Sequence, residues 1–118
     1  MKLIIAIIRP ERLEAVQAAL EAALDEADNY RITVQPVDGH GQHRGQIEYF
    51  RGQAVRPRLV RKTQITIGVN DQYVEPAIQA IIQGARSDKG AVGDGKIFVV
   101  PMEECVRIRT GERGGKAI

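Results

Sequence analysis

The chain has no tryptophan, and its only aromatic residues are two phenylalanines and three tyrosines, so its core is built from Ile, Val, Leu and Ala. It has one cysteine, Cys105, which excludes an intrachain disulfide framework and favours a reducing compartment. No apolar run reaches membrane-spanning length. The opening stretch Met1–Ile8 is too short for a full signal-peptide pattern and runs straight into Arg9-Pro10. These absences point to a soluble, cytoplasmic protein with no direct membrane insertion. At 118 residues the expectation is one domain with a single modest core.

Strong net charge is also missing: the formal value is +2. The distribution says more than the total. From His40 to Lys62 there are six basic residues, Arg44, Arg51, Arg56, Arg58, Arg61 and Lys62, against one acid, Glu48. That one segment is set apart electrostatically, and the remainder is slightly acidic.

Apolar patterning then orders the chain. Leu3–Ile8 is almost wholly apolar and rich in β-branched residues, which reads as a strand buried on both faces. Pro10 suits the first turn of a helix, and Leu13, Val16, Leu20 and Leu24 form an amphipathic stripe predicted to run to about Ala27. Asp28–Tyr30 reads as a turn. Arg31–Asp38 reads as a second strand, which Pro36 confines to a sheet edge because proline has no ladder N–H to donate. Gly39, Gly41 and Gly45 open a long irregular segment ending near Arg61. Thr63–Val69 alternates as a third strand, with Ile65, Ile67 and Val69 on one face. Asn70 or Asp71 is placed to cap a second helix with a stripe of Val74, Ile78, Ile81 and Ile82. Ile97–Val100 is the fourth strand.

The order β-α-β-(long loop)-β-α-β predicts a ferredoxin-like α+β sandwich: a four-stranded antiparallel sheet with both helices on one face. In that topology the first and third strands are central and the second lies at an edge, as Leu3–Ile8 and Pro36 each require. An irregular loop of this length in so small a domain points to function. It is basic and carries Ile47, Tyr49, Phe50 and Val55, which have no evident core to join, so it reads as an arm for docking a partner.

The chemistry concentrates near the C-terminus. Gly90–Lys96 has the G-x-x-x-x-G-K spacing of a P-loop, but Ile97 stands where a magnesium-binding Ser/Thr belongs, and the segment enters a strand where a P-loop opens a helix. What remains is a glycine turn, Gly93-Asp94-Gly95-Lys96, whose backbone N–H groups and lysine suit phosphate oxygens, or else a plain turn. Eleven residues on come Arg107 and Arg109. Their alternation with Val106 and Ile108 predicts both arginines on the same face of an extended segment. Charged hydrogen bonds contribute roughly 1.5–3 kcal/mol each. Three, from Lys96, Arg107 and Arg109, come to about 5–9 kcal/mol, on the scale of micromolar binding at ~8 kcal/mol.

These residues carry a resemblance. Lys2–Pro10, Gly39-x-Gly41-x-x-Arg44-Gly45, Arg51-Gly52, Gly93–Phe98 and Arg107–Gly114, ending in Ala117-Ile118, together resemble the PII signal-transduction proteins of nitrogen metabolism. The likeness spans essentially the whole chain. It implies a homotrimer that is not an enzyme and that binds ATP or ADP, with magnesium, in clefts between subunits. It implies a single domain over residues 1–118, with a T-loop at about 40–61, a phosphate-binding loop at about 87–96 and a C-terminal phosphate segment at 107–113. Gly93, Asp94, Gly95 and Lys96 match the family's phosphate loop, and Arg107 and Arg109 match its phosphate arginines. Gly39 joins the nucleotide set, and Thr33 matches the adenine contact. Lys62 matches the lysine that pairs with 2-oxoglutarate, with His43, Arg44 and Gly45 beside it. Ile47, Tyr49, Phe50, Arg51, Val55, Arg56 and Arg58 fall in the T-loop, the arm that engages a membrane transporter or a metabolic enzyme.

The departures from the family are specific. His43 replaces the glutamine that contacts magnesium and 2-oxoglutarate, and neutral imidazole suits softer transition metals better than magnesium. The usual 2-oxoglutarate response is thereby put in question, leaving as alternatives another small-molecule effector reporting carbon or energy status, or a metal site at His40 and His43. Val55 occupies the position of the uridylylated tyrosine, and Gln53 is near that of the phosphorylated serine; neither accepts the modification. The linker before the second strand and the loop before Gly93 are both extended. Two other function classes compete. A weak ATPase would need a base near Lys96, where Asp94 is the one candidate; a nucleic-acid binder would have only Tyr49 and Phe50 for stacking, so no nucleic acid is expected.

Overall fold

The computed structural model describes residues 1–24, 30–40, 48–50, 52–55 and 59–118. In chain order the elements are β1 (Lys2–Ile8), α1 (Leu13–Leu24), β2 (Ile32–Gly39), β3 (Glu48–Phe50), β4 (Gln53–Val55), β5 (Val60–Val69), α2 (Val74–Ala85) and β6 (Gly95–Pro101). Short 3-10 turns lead into both helices at Pro10–Arg12 and Asp71–Tyr73. Four strands form one antiparallel sheet in the order β2-β5-β1-β6. Strands β1 and β5 are central and β2 is at an edge, as the apolar run Leu3–Ile8 and Pro36 led us to expect. With both helices on one face, this is the ferredoxin-like βαβ-βαβ arrangement.

Period-two alternation decides which residues face the helices. Ile4, Ala6 and Ile8 of β1 and Ile65, Ile67 and Val69 of β5 point to that side and are buried. Val16, Leu20 and Leu24 of α1 close the core from above, together with Ala77, Ala80 and Ile81 of α2. The stripe expected on α2 is therefore shifted: Val74 and Ile78 pack at the margin of the core, and small residues occupy its centre. The cause is the close approach of the helices. A Cβ on Gly84 would lie 2.7 Å from Val16 Cα and 2.8 Å from the Ala15 carbonyl oxygen, both backbone atoms of α1.

Several sequence expectations need correction. The segment between β2 and β5 is not wholly irregular: β3 and β4 pair antiparallel as a hairpin, from Glu48 opposite Val55 to Phe50 opposite Gln53. Strand β5 begins at Val60, before the predicted start at Thr63, because β2 extends to Gly39 and supplies ladder partners for Val60, Arg61 and Lys62. Asn70 occupies the cap position ahead of α2, but makes no side-chain cap. Its amide donates instead to the Gly115 carbonyl, and Asp71 accepts from the Met1 ammonium. The predicted continuation of α1 to Ala27 and the turn at Asp28–Tyr30 fall largely outside the described residues.

The extended alternation foreseen at Val106–Arg109 does not form. Val106 makes only an isolated bridge with Arg113. Between them the chain turns back on itself: the Arg107 amide donates to the Glu112 carbonyl and the Gly111 amide to the Arg107 carbonyl. β1 already has a strand on each side, so no ladder partner is left for this segment there. Ile108 consequently sits fully exposed on the turn.

The sheet face away from the helices positions everything that follows. Register places Leu3, Ile5 and Ile7 of β1 on it, beside Lys62, Gln64 and Thr66 of β5. Thr33 and Val37 of β2 lie on the same face, as do Lys96, Phe98 and Val100 of β6. Neither helix covers it, and Phe98 and Val100 are 50% and 41% exposed. Among the described residues no helix is long and apolar enough to cross a membrane.

The contact at Gly84 generates a prediction. Gly84→Ala should destabilise the fold by about 1–3 kcal/mol, since only backbone atoms are there to give way. Urea denaturation of the two proteins measures this; an unchanged midpoint would mean that the helices separate freely.

Candidate anion-binding site

The loop from Ser87 to Asp94 connects α2 to β6, and a single carboxylate organises it. Asp94 accepts from the Ser87 backbone amide at 3.0 Å, the Ser87 hydroxyl at 2.7 Å and the Ala91 amide at 2.8 Å. Arg9, the residue just past β1, adds its Nε at 3.3 Å and sends a second donor to the Val92 carbonyl at 2.8 Å. Burial alone would raise the Asp94 carboxyl, but the amides of Ser87 and Ala91, the Ser87 hydroxyl and Arg9 outweigh it and hold the group well below the usual carboxylate range. A carboxylate engaged by four donors is a poor general base. Asp94 shapes the loop.

Gly95 follows in the left-handed region with φ of +114°, and a Cβ there would meet the Ile7 carbonyl oxygen at 1.8 Å. Only glycine fits where β6 departs so close to β1. Lys62 reaches across from β5 and donates to the Gly93 carbonyl at 2.9 Å. Its amine is pushed below the ordinary lysine value, first by burial and then by the nearby Arg9. Gly39, Lys62, Gly93, Asp94, Gly95 and Lys96 thus line one cavity of about 810 Å³, floored by Ile7, Gln64 and Phe98. Lys96 has no hydrogen bond or ion pair among the described residues, which leaves its amine available to an anion.

Arg107 and Arg109 are elsewhere. Gly95 pairs with Ile8 at one end of β1, and Pro101 pairs with Lys2 at the other. The C-terminal turn therefore starts a full strand length away, ~20 Å at ~3.3 Å per residue. Arg107 donates to Glu112 at 3.0 Å and to the Lys116 carbonyl at 3.1 Å, which holds the turn closed. Arg109 is exposed and has no partner among the described residues. Both line a second cavity, of about 860 Å³, shared with Gly68, Asn70 and Lys116. Thr33, opposite Thr66 on β5, is exposed on the open sheet face and lines neither of the two cavities.

Comparison with known proteins identifies the family. The family model for "Nitrogen regulatory protein P-II" matches residues 1–112. The chain belongs to the P-II family. It is 46% identical over 118 residues to nitrogen regulatory protein GlnK1 of Methanosarcina mazei, covering all of this chain and 97% of that one. It is 48% identical to nitrogen regulatory protein P-II 2 of Methanothermobacter thermautotrophicus over the same spans. Against nitrogen regulatory protein P-II of Azospirillum brasilense the identity is 46%, with both chains covered in full. The two glycine- and arginine-bearing segments that resemble P-II proteins in sequence are thus the two ends of one P-II sheet face.

The other sequence-derived sites divide. His43, Arg44, Gly45, Ile47, Arg51, Arg56 and Arg58 lie outside the described residues, while Tyr49, Phe50 and Val55 belong to the β3–β4 hairpin. His40 is exposed at the rim of the first cavity. Among the described residues no three His, Cys, Asp or Glu side chains group as metal ligands. Sequence reading missed Arg9 and Ser87 as parts of the site. The available signal was a cation immediately after an apolar strand, and a Ser–Asp pair bracketing a glycine-rich loop.

The Asp94 geometry predicts a pH effect. Its folded-state pKa is depressed, so its contribution to stability is present above the unfolded value of ~3.9 and is lost as pH falls below it. Asp94→Ala should cost about 1–3 kcal/mol at neutral pH through the donors left unpaired. It should also flatten the acid limb of stability against pH below ~4, which urea titrations at stepped pH measure. An acid limb of unchanged steepness would place the titrating group elsewhere.

Proposed function

We propose that this P-II protein is a trimeric, non-enzymatic signalling protein that binds ATP or ADP between subunits and regulates a target, a membrane transporter or a metabolic enzyme, through residues 40–61. The observation that carries the reading is the separation of the two cationic sets. Lys62 and Lys96 gather at one end of an uncovered sheet face and Arg107 and Arg109 at the other, ~20 Å apart by strand geometry. One phosphate chain cannot touch both ends within a single chain. A second copy can bring its arginine end to the first copy's lysine end. The apolar strip between them, with Leu3, Ile5, Phe98 and Val100, offers a surface for copies to cover.

A reporting role fits better than turnover. The Asp94 carboxylate is taken up by four donors, and Ile97 offers magnesium no hydroxyl. Magnesium would come with the nucleotide, and the protein would act in the cytoplasm. Thr33 on the open face suits the adenine, Gly39 belongs with the nucleotide set, and Lys62 suits an effector carboxylate near the phosphates. His43 in place of the family's glutamine favours a second reading of the same fold, in which 2-oxoglutarate is replaced by another effector, one reporting carbon or energy status.

Two measurements test this. Lys96→Ala combined with Arg109→Ala should weaken ATP binding by more than ~100-fold in equilibrium titration, as the loss of two charged contacts implies; unchanged affinity would overturn the assignment. In calorimetry with Mg-ATP present, 2-oxoglutarate should bind His43→Gln more tightly than the parent chain. Equally strong binding by both would refute the role given to His43.

A further inference from the structure

The packing of α2 leaves a groove that the core does not fill. Its close approach to α1 at Gly84 turns Ala77, Ala80 and Ala85 inward, so Ile78 is displaced to the margin of the core and Ile82 is only half-buried. Both isoleucines line a cavity of about 330 Å³ between α2 and the edge strand β6, together with Ile8, Ile81 and Ile97. Val99, on the same side of β6 as Ile97, is 42% exposed, so the helices do not cover this strand as they cover β1. The flanking elements β1, α2, β6 and the loop from Ser87 to Asp94 all lie within the described residues. Strand β6 separates this cavity from the one at Lys62, with which it shares the turn at Asp94, Gly95 and Lys96.

The groove is polar at one end only. Arg86, which follows the last residue of α2, lines that end and is exposed. Its side chain has no hydrogen bond or ion pair among the described residues. Asp94 lines the groove too, but its oxygens are taken by Ser87, Ala91 and Arg9. Lys96 borders it from β6, while strand parity sends its side chain to the opposite face of the sheet. What remains is a set of isoleucine walls with one uncommitted guanidinium at the mouth. Such walls favour an aliphatic body withdrawn from water, and a guanidinium presents paired donors that match a carboxylate. The dipole of α2 opposes an anion at this end, but it is screened by salt and falls off within the last turn, whereas a paired hydrogen bond acts at contact.

We propose that the groove between α2 and β6 binds a straight-chain aliphatic carboxylate, with its chain against Ile78, Ile82 and Ile97 and its carboxylate on Arg86. The cavity volume is at the lower end of the range of small-molecule sites, which selects a medium chain over a long one. Each methylene added within the groove should tighten binding roughly fourfold, and the gain should stop once the chain emerges into water. This inference rests on the packing of α2 and not on the nucleotide reading.

The test is titration of the full chain with hexanoate, octanoate and decanoate, and with octanol and octylamine as uncharged and cationic counterparts. The readout is the methyl resonances of the isoleucines. Those of Ile78, Ile82 and Ile97 should shift on adding octanoate, and that of Ile5 on the open sheet face should not. Octanoate should bind more tightly than octanol or octylamine. Arg86→Gln should weaken octanoate by about two- to fivefold, as expected for an exposed charge, and leave octanol unchanged. Ile82→Gln should weaken both, with an unchanged thermal midpoint as the check that it folds; Arg86→Gln, at an exposed position, keeps the test decisive if it does not. Shifts confined to Ile5, octylamine binding as well as octanoate, or no effect of Arg86→Gln would each overturn the proposal. Shifts of Ile78 and Ile82 that follow protein concentration and not octanoate would mean that a second copy covers the groove, which also overturns it.

Discussion

The pairing of β1 on both sides, with β5 and with β6, sets the dimensions on which every site depends. Its ladder to β5 brings Lys62 to the end occupied by Gly93, and its ladder to β6 sends the chain to the opposite end before Arg107 begins. Where β1 stops, Arg9 reaches into the neighbouring loop and meets Asp94. The strand therefore acts as backbone partner, spacer and anchor, and its apolar residues serve the core only on one face. On the other face Leu3, Ile5 and Ile7 form the apolar middle of a surface whose ends are basic.

The phosphate-loop candidate works on a different principle from the P-loop its spacing suggests. A P-loop relies on a helix N-terminus beneath the phosphates. Here the turn opens a strand, and its shape comes from a carboxylate that gathers the loop's own donors. The cations sit around the rim, on β5 and β6, so the loop is the mould and neighbouring strands supply the charge.

Much of this was legible in the sequence because alternation and breakers report local chemistry directly. Leu3–Ile8 announced a central strand, Pro36 an edge, and Val16, Leu20 and Leu24 a buried helical face. The failures share a cause: they turn on partners distant in sequence. Val106–Arg109 alternates like a strand but finds no ladder partner. Asn70 has the residue type of a cap but is drawn to Gly115 instead. The small residues of α2 looked weaker than its isoleucines, yet the close approach to α1 at Gly84 puts Ala77, Ala80 and Ala85 inside. The six basic residues between His40 and Lys62 masked the short hairpin of β3 and β4. The bond from Arg9 to Asp94 was likewise hidden, because the two residues are far apart along the chain.

The alternation along β6 bears on which length changes the chain can absorb. Lys96, Phe98 and Val100 face the open side because each is an even number of residues from the next, and Ile97 and Val99 face the helices for the same reason. One residue inserted between Gly95 and Pro101 would exchange the two sets, turning Lys96 or its successors toward the core and altering the span to Arg107. The loop from Ser87 to Asp94 has no such parity, since its shape is closed by side-chain bonds to Asp94. The strand that separates the two basic ends is thus held to its length by parity, and the loop from Ser87 to Asp94 by the bonds that close on Asp94.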